Sequence, residues 1–310
     1  GGAAQERPED ERRDRKGGDR DGRFHGRSVE PGPGGWCCCL HASHMGVYAD
    51  VVRYRELFGS LFRRDLRAKY KGSVLGLAWS LAHPLVLMGV YLVVFSVLWR
   101  ATATDFDRYW LFLLCGLPVW VFFATSLQAA SRSLLENANL IRKVRFPRQL
   151  VPLSVVATQV VAFAVMLGIV LALALVFRPE ARDTAWLALP VAALVLPFVA
   201  GVALAAASAN AVFRDVEHVV QALLLPWFFL TPILYRLEDL PGADSHPWLA
   251  DLIRWGNPLT PPVEALRTPL FYGEAPGAGV LAYLVVETVV ALALGALVFS
   301  RVDDRIAAEA

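Results

Sequence analysis

Few residues of this 310-residue chain have the types and spacing for covalent chemistry. The only lysines are Lys16, Lys69, Lys71 and Lys143, and none closes a G-x-x-x-x-G-K-[ST] phosphate loop. No nucleophile elbow, H-E-x-x-H helix or group of loop carboxylates suited to a metal-dependent transferase is present. The run Cys37, Cys38, Cys39, Leu40, His41, Ala42, Ser43, His44 offers soft ligands, but adjacent cysteines point apart and match no zinc-ligand spacing. Low complexity explains it more simply, and we expect neither a metal nor a cofactor on this chain. The residues that stand out are instead suited to docking and conduction. Arg142, Lys143 and Arg145 flank an apolar stripe, aromatic residues gather between Trp248 and Tyr272, and Glu287 interrupts an apolar run.

The elements that must position these residues follow from composition. Hydrophobic residues make up 56% of the chain and charged residues 19%, with a mean hydropathy of +0.46. A soluble domain is nearer half apolar and a quarter charged. Sixteen of the 58 charged residues fall in the first 44, a Gly-, Pro- and Arg-rich stretch too poor in apolar groups to offset its ordering entropy. We expect residues 1–44 to be a disordered tail, extraneous or from a start assigned too early at a point upstream of Met45. The near-neutral formal charge of +2 excludes a nucleic-acid binder driven by bulk charge.

Apolar runs then set the architecture, because a helix that crosses the hydrocarbon core needs about 20 residues. Val74–Trp99, Tyr109–Ser131, Gln149–Phe177, Thr184–Phe213 and His218–Tyr235 contain no Asp, Glu, Lys or Arg, and Ala275–Ser300 contains only Glu287. Six spans predict an all-α polytopic membrane protein over residues 74–310 with both termini on one side. Lys and Arg divide 15 to 7 between the two sets of loops, which by the positive-inside rule makes that side cytoplasmic. Prolines at 84, 118, 190, 197, 226 and 232 predict bent helices in a bundle. The run of small residues from Ala200 to Ala209 predicts close helix packing. Glu287 should face the bundle, in packing or hydrogen bonding. The spans hold no second acid or lysine for a proton relay.

Before the first span, within residues 45–73, Tyr54, Phe58, Phe62, Leu66 and Tyr70 recur every four residues. Arg63, Arg64, Arg67 and Lys71, with Lys69, supply a basic face, so an amphipathic helix lies in the membrane interface, against anionic lipid or a partner. After the second span, Leu134, Leu135, Ala138, Ile141 and Val144 have helical spacing beside Arg142, Lys143 and Arg145, and Pro147 ends the turn. This segment is either a solvated connector or a docking helix for another protein. Two short helices are predicted around 247–255 and 260–271, carrying Trp248, Trp255, Phe271 and Tyr272. Those rings serve either as an interfacial belt or as stacking faces for sugars. Phe112, Gly116, Trp120 and Phe123 share one face of the second span, where the aromatics line a channel or meet lipid or a neighbouring helix.

The segments RRDLRAKYKGSVLGLAW (63–79), NANLIRKVRFPRQLVPLS (137–154), ANAVFRDVEHVV (209–220), TPILY (231–235) and NPLTPPVEALR (257–267) carry a resemblance. In order and spacing they resemble the membrane subunits of ABC-2 type polysaccharide exporters, the O-antigen and teichoic-acid permeases. The resemblance covers about Tyr54 to the C-terminus. It implies a six-span homodimeric permease of the bacterial cytoplasmic membrane, moving a lipid-linked polysaccharide outward. ATP and Mg would be held by a separate ATPase subunit. It further implies that the amphipathic helix is the interface helix. Asn137, Asn139, Leu140, Ile141, Arg142, Lys143, Arg145 and Phe146 would form the ATPase-coupling helix. Trp248, Trp255, Asn257, Pro258, Phe271 and Tyr272 would belong to extracytoplasmic gate helices. An ABC-2 exporter of drugs or lipids would share this architecture, whereas a secondary transporter would need intramembrane ion sites for which only Glu287 is a candidate.

Overall fold

A computed structural model describes residues 46–70, 108–144, 146–239 and 247–308, with seven scattered helical residues between 82 and 94. The expected tail and most of the first predicted span lie outside the described residues, as do Lys71 and Arg145. Among the described residues the fold is helical throughout.

Two helices, α1 (Gly46–Arg53) and α2 (Arg55–Tyr70), precede the spans. The second predicted span forms α3 (Tyr109–Glu136), which continues five residues past its apolar run and ends at Asn137. A short α4 (Ala138–Lys143) leads into α5 (Leu150–Phe177). Two 3-10 turns (Pro179–Asp183 and Ala185–Leu187) then connect to α6 (Ala188–Val212). After α7 (Val216–Leu230) come α8 (Pro247–Gly256), α9 (Thr260–Arg267) with a π-helical turn over Thr268–Tyr272, and α10 (Ala278–Ala308).

Among the described residues four stretches, in α3, α5, α6 and α10, are long and apolar enough to cross a membrane. The predicted fifth span departs from this. Its helix stops at Leu230, so its 15 residues reach only about 22 Å against a hydrocarbon core of about 30 Å. Thr231 to Tyr235 instead form an irregular turn around Pro232, which has no N–H to continue the helical ladder. Pro118, Pro197 and Pro226, by contrast, sit inside unbroken helices.

At the centre lies α3, whose apolar window is 78% buried, against 28% in α5 and in α10. It packs on α5, α6, α7 and α9. Helices α6 and α10 cross where the small residues predicted closeness: a Cβ on Gly201 would lie 2.5 Å from the Ala291 carbonyl carbon, and one on Gly295 would run into the Gly201 oxygen. Val47 of α1 packs with Leu204, Ala296 and Phe299 beside this crossing, and the Tyr48 hydroxyl donates to the Leu292 carbonyl at 3.0 Å.

Polar contacts divide the molecule into two ends. Gln149 donates to Asp50 at 2.6 Å, Arg148 pairs with Asp303 at 2.9 Å, and Arg132 lies 3.3 Å from Glu217. These contacts join the N-terminal helices, the α3–α5 and α6–α7 connections and the end of α10. At the opposite end the Tyr109 hydroxyl donates to the Leu234 carbonyl at 2.6 Å, and Thr184 donates to Pro269 at 3.0 Å. This grouping of loops is the one that alternating spans require.

Candidate coupling surface and outer gate

The first candidate region is built on α2, α3 and α5. The second half of α2 runs against the first three turns of α5, with Ser154 donating to Asp65 at 2.9 Å and Lys69 donating to Gln159 at 2.9 Å. Leu61 is buried, Leu57, Phe58, Phe62 and Leu66 are half-buried, and Arg63, Arg64 and Arg67 are exposed, as an amphipathic face requires. Burial lowers the Lys69 ammonium below the usual lysine range. Lys69 is exposed along with the three arginines, but its ammonium is tied to Gln159 of α5.

Arg64 links this helix to the next. Its guanidinium donates to the Asn137 side chain at 2.8 Å and to Asp65 at 2.7 Å. Asn137 in turn donates from Nδ2 to the Ser133 carbonyl at 2.9 Å, closing the last turn of α3 where α4 departs. The predicted apolar stripe is divided. Ile141 and Phe146 pack against the buried cluster of Leu134, Val151 and Ala207, so they hold α4 to the bundle. Leu140 is half-buried, whereas Asn139, Arg142, Lys143 and Val144 are exposed, and Leu135 with them. The free surface is thus more basic and less apolar than spacing alone implied.

The second region is the opposite end, where α8 and α9 pack over α3 and the broken end of α7. Trp248 is exposed, and Trp255 meets Tyr283 in a tilted contact with ring centres 5.0 Å apart. By contrast α9 is sunk into the protein, with Thr260, Val263, Ala265, Leu266 and Arg267 all buried. Asn257 explains the geometry. Its Oδ1 accepts from the Trp227 indole at 2.9 Å and from the Leu259 amide at 3.1 Å, while Nδ2 donates to the Thr231 hydroxyl at 3.0 Å. Pro258 follows in the turn between α8 and α9.

Arg267, which the sequence reading passed over, completes this anchor. Its Nη1 donates to the Pro232 carbonyl at 2.8 Å and its Nη2 to the Ile233 carbonyl at 3.1 Å, supplying the donors that the interrupted helix lacks. The guanidinium stands 3.7 Å from the centre of the Phe112 ring, over a face that favours cations. Burial lowers it to about 10, with neighbouring acidic groups opposing, so it stays charged at neutral pH. Gly116 admits it, since a Cβ there would lie 2.7 Å from Nη2. The signal available in the sequence was a small residue one turn after Phe112 on the face assigned to a channel.

That face is filled within the chain itself. Phe112, Trp120 and Phe123 are 0%, 9% and 1% exposed, and the last two meet Phe228 and Trp227 of α7. Phe271 is buried, 5.5 Å from Phe112, and has Arg178 over its other side, while Tyr272 is partly open. Gly273 ends the π-helical turn at φ 72°, where a side chain would meet the Glu180 carbonyl. The structure brings Phe112 and Phe271 together, while Trp255 meets Tyr283. Both oxygens of Glu287 are buried, and neither has a hydrogen-bond partner among the described residues. Among the described residues no group of His, Cys, Asp or Glu could hold a metal.

Comparison with known proteins places this arrangement. Residues 56–271 match the ABC-2 type transporter family. The chain belongs to that family. It is 31% identical over 253 residues to the O-antigen export system permease protein RfbA of Myxococcus xanthus, covering 81% of this chain and 94% of the relative. A protein of the same name from Klebsiella pneumoniae is 29% identical over 256 residues, with the same coverage. The polysialic acid transport protein KpsM of Escherichia coli is 24% identical over 248 residues, 79% of this chain and 93% of the relative. This ABC-2 protein is therefore a multi-pass membrane permease subunit.

Proposed function

We propose that this ABC-2 permease exports a polysaccharide, moving a lipid-linked glycan of O-antigen or teichoic-acid type from the cytoplasm outward. The observation that carries this reading is the match to O-antigen and polysialic acid permeases across nearly their whole length. ATP and Mg belong to a separate ABC ATPase. Two copies of the chain form the pathway, from the first span, α3 and α7, in the bacterial cytoplasmic membrane with both termini cytoplasmic.

In this reading α4 is the coupling helix. Its outward Asn139, Arg142 and Lys143 engage the motor, with Arg145 beyond them, and Ile141 and Phe146 pass the displacement to α3 and α5. Arg64, bonded to Asn137, makes α2 move with it. Asn257 and Arg267 hold the outer turn of α7 to α9, so a shift of α3 reaches the gate as one body. Lipid headgroups bind the exposed arginines of α2.

The test is the double variant Arg142→Glu and Lys143→Glu. Loss of ATPase co-purification, or ATP hydrolysis without surface glycan, is the expected result. A variant that retains a fully coupled motor and normal export overturns the docking assignment. Export that continues without any ATPase overturns the whole reading.

A further inference from the structure

Arg148 and Gln149 form the turn that opens α5 after the coupling segment, and each is held by a carboxylate of another element. Arg148 pairs with Asp303 of α10 at 2.9 Å. Gln149, only 6% exposed, donates to Asp50 of α1 at 2.6 Å. The backbone of this turn is fixed as well, since the Leu150 and Val151 amides donate to the Pro147 and Arg148 carbonyls at 3.1 Å.

Both carboxylates lead to the same helix. Asp303 belongs to α10 itself. Asp50 belongs to α1, which is seated on the crossing of α6 and α10: Val47 is buried with Leu204, Ala296 and Phe299, and the Tyr48 hydroxyl donates to the Leu292 carbonyl. The exit of the coupling segment is therefore fastened to α10 twice, once directly and once through α1. A partly exposed ion pair stabilises a fold little, so the interest of Arg148 and Asp303 lies in what they connect.

Helix α10 carries that connection across the molecule. It is unbroken from Ala278 to Ala308, and from Asp303 back to Tyr283 it covers about 30 Å at the helical rise per residue. There the Tyr283 hydroxyl donates to the Trp255 carbonyl of α8, with the two rings in tilted contact. Thr260 of α9 donates to the Ile253 carbonyl at 2.9 Å, which holds α8 to its neighbour. Rigid helices joined by such contacts can pass a displacement from one end of a protein to the other.

We propose that Arg148 and Gln149 are positioning residues of a second transmission route, in which α10 links the exit of α4 to α8. The proposal rests on the coupling reading of α4. It differs from the route through α3, Asn257 and Arg267 in the helix that moves and in the outer element it reaches.

The test uses the full chain with its ABC ATPase in lipid nanodiscs, lacking Cys37, Cys38, Cys39 and Cys115 and carrying Leu252→Cys on the exposed side of α8. The readout is the rate of maleimide labelling at position 252, with ATP and vanadate and without. The nucleotide-dependent change in rate should be about threefold smaller in Asp303→Ala, as for substitutions along a coupling network, and should recover in the exchange pair Arg148→Asp with Asp303→Arg. ATP hydrolysis retained by Asp303→Ala separates lost transmission from lost docking, and recovery by the exchange separates the pair from a merely structural defect. Where Asp303→Ala is not monodisperse, Asp303→Asn reads the same link at constant volume. An undiminished response in the single variants, a response that the exchange does not recover, or loss of ATP hydrolysis in Asp303→Ala overturns the proposal and leaves the coupling reading standing. The same holds where the unvaried complex hydrolyses ATP and position 252 does not respond. An unvaried chain that engages no ATPase overturns the coupling reading itself, and this route with it.

Discussion

At the scale of single residues, a buried arginine is costly unless its charge and donors are met, and Arg267 meets them with two backbone carbonyls and the Phe112 ring. The carbonyls of Pro232 and Ile233 depend on it equally, because the chain there has left the helical ladder. Arg267→Met would fill similar volume yet leave both carbonyls without donors, at about 1–3 kcal/mol each. A clear fall in melting temperature of the detergent-purified chain is expected, with partial recovery in Arg267→Lys, which can serve one carbonyl. Gly116→Val should be destabilising by about 1–3 kcal/mol through overpacking against the same guanidinium. An unchanged melting curve in both Arg267→Met and Gly116→Val would show that the anchor contributes nothing.

At the scale of elements, the crossing of α6 and α10 depends on backbones in contact, which in a membrane replaces the hydrophobic drive absent between helices. Gly201→Ala places its methyl against the Ala291 backbone, which cannot rotate away, so the helices must separate. Gly168→Ala on α5 meets nothing within 4 Å and gains helix propensity of about 1 kcal/mol. Opposite signs are expected in thermal unfolding of the two variants, and equal behaviour would refute the close crossing. The small residues of α6 announced this contact because their chemistry and their packing role are the same property. The lengths of α3, α5, α6 and α10 were legible for a similar reason: lipid leaves the backbone no alternative to a helix. The α7 break was not legible from apolar count, since Thr231 to Tyr235 are as apolar as a span while the turn is held by Asn257, bonded to the Thr231 hydroxyl, and by Arg267, bonded to the Pro232 and Ile233 carbonyls, from 26 to 35 residues away. Nor could spacing tell which side of the coupling stripe faced inward: Ile141 and Phe146 read as docking residues until Leu134, Val151 and Ala207 were seen beneath them.

At the scale of the whole molecule, α7 is the element with the least support from the rest of the chain. Of its 15 residues only Leu224 and Phe228 are buried, whereas Val219, Leu223, Leu225, Phe229 and Leu230 are more than half exposed. A helix of about 22 Å with so little support would thin the bilayer around it or seek a protein neighbour. The proposed homodimer supplies that neighbour, with the exposed face of α7 meeting its own copy or the first span of the partner. Val219 and Leu223 lie one turn apart on that face, so cysteine at either position should cross-link on mild oxidation in native membranes. The experiment needs a background lacking Cys37, Cys38, Cys39 and Cys115. Cysteine at Val176, 67% exposed on α5, serves as the lipid-facing comparison. Strong cross-linking through Val219 or Leu223 and none through Val176 places α7 at the dimer axis, beside the buried α3 aromatics that a pathway would then reach only by movement of α7. Efficient cross-linking through Val176 with none through α7 would put the interface on α5 and exclude a conduit built from α7.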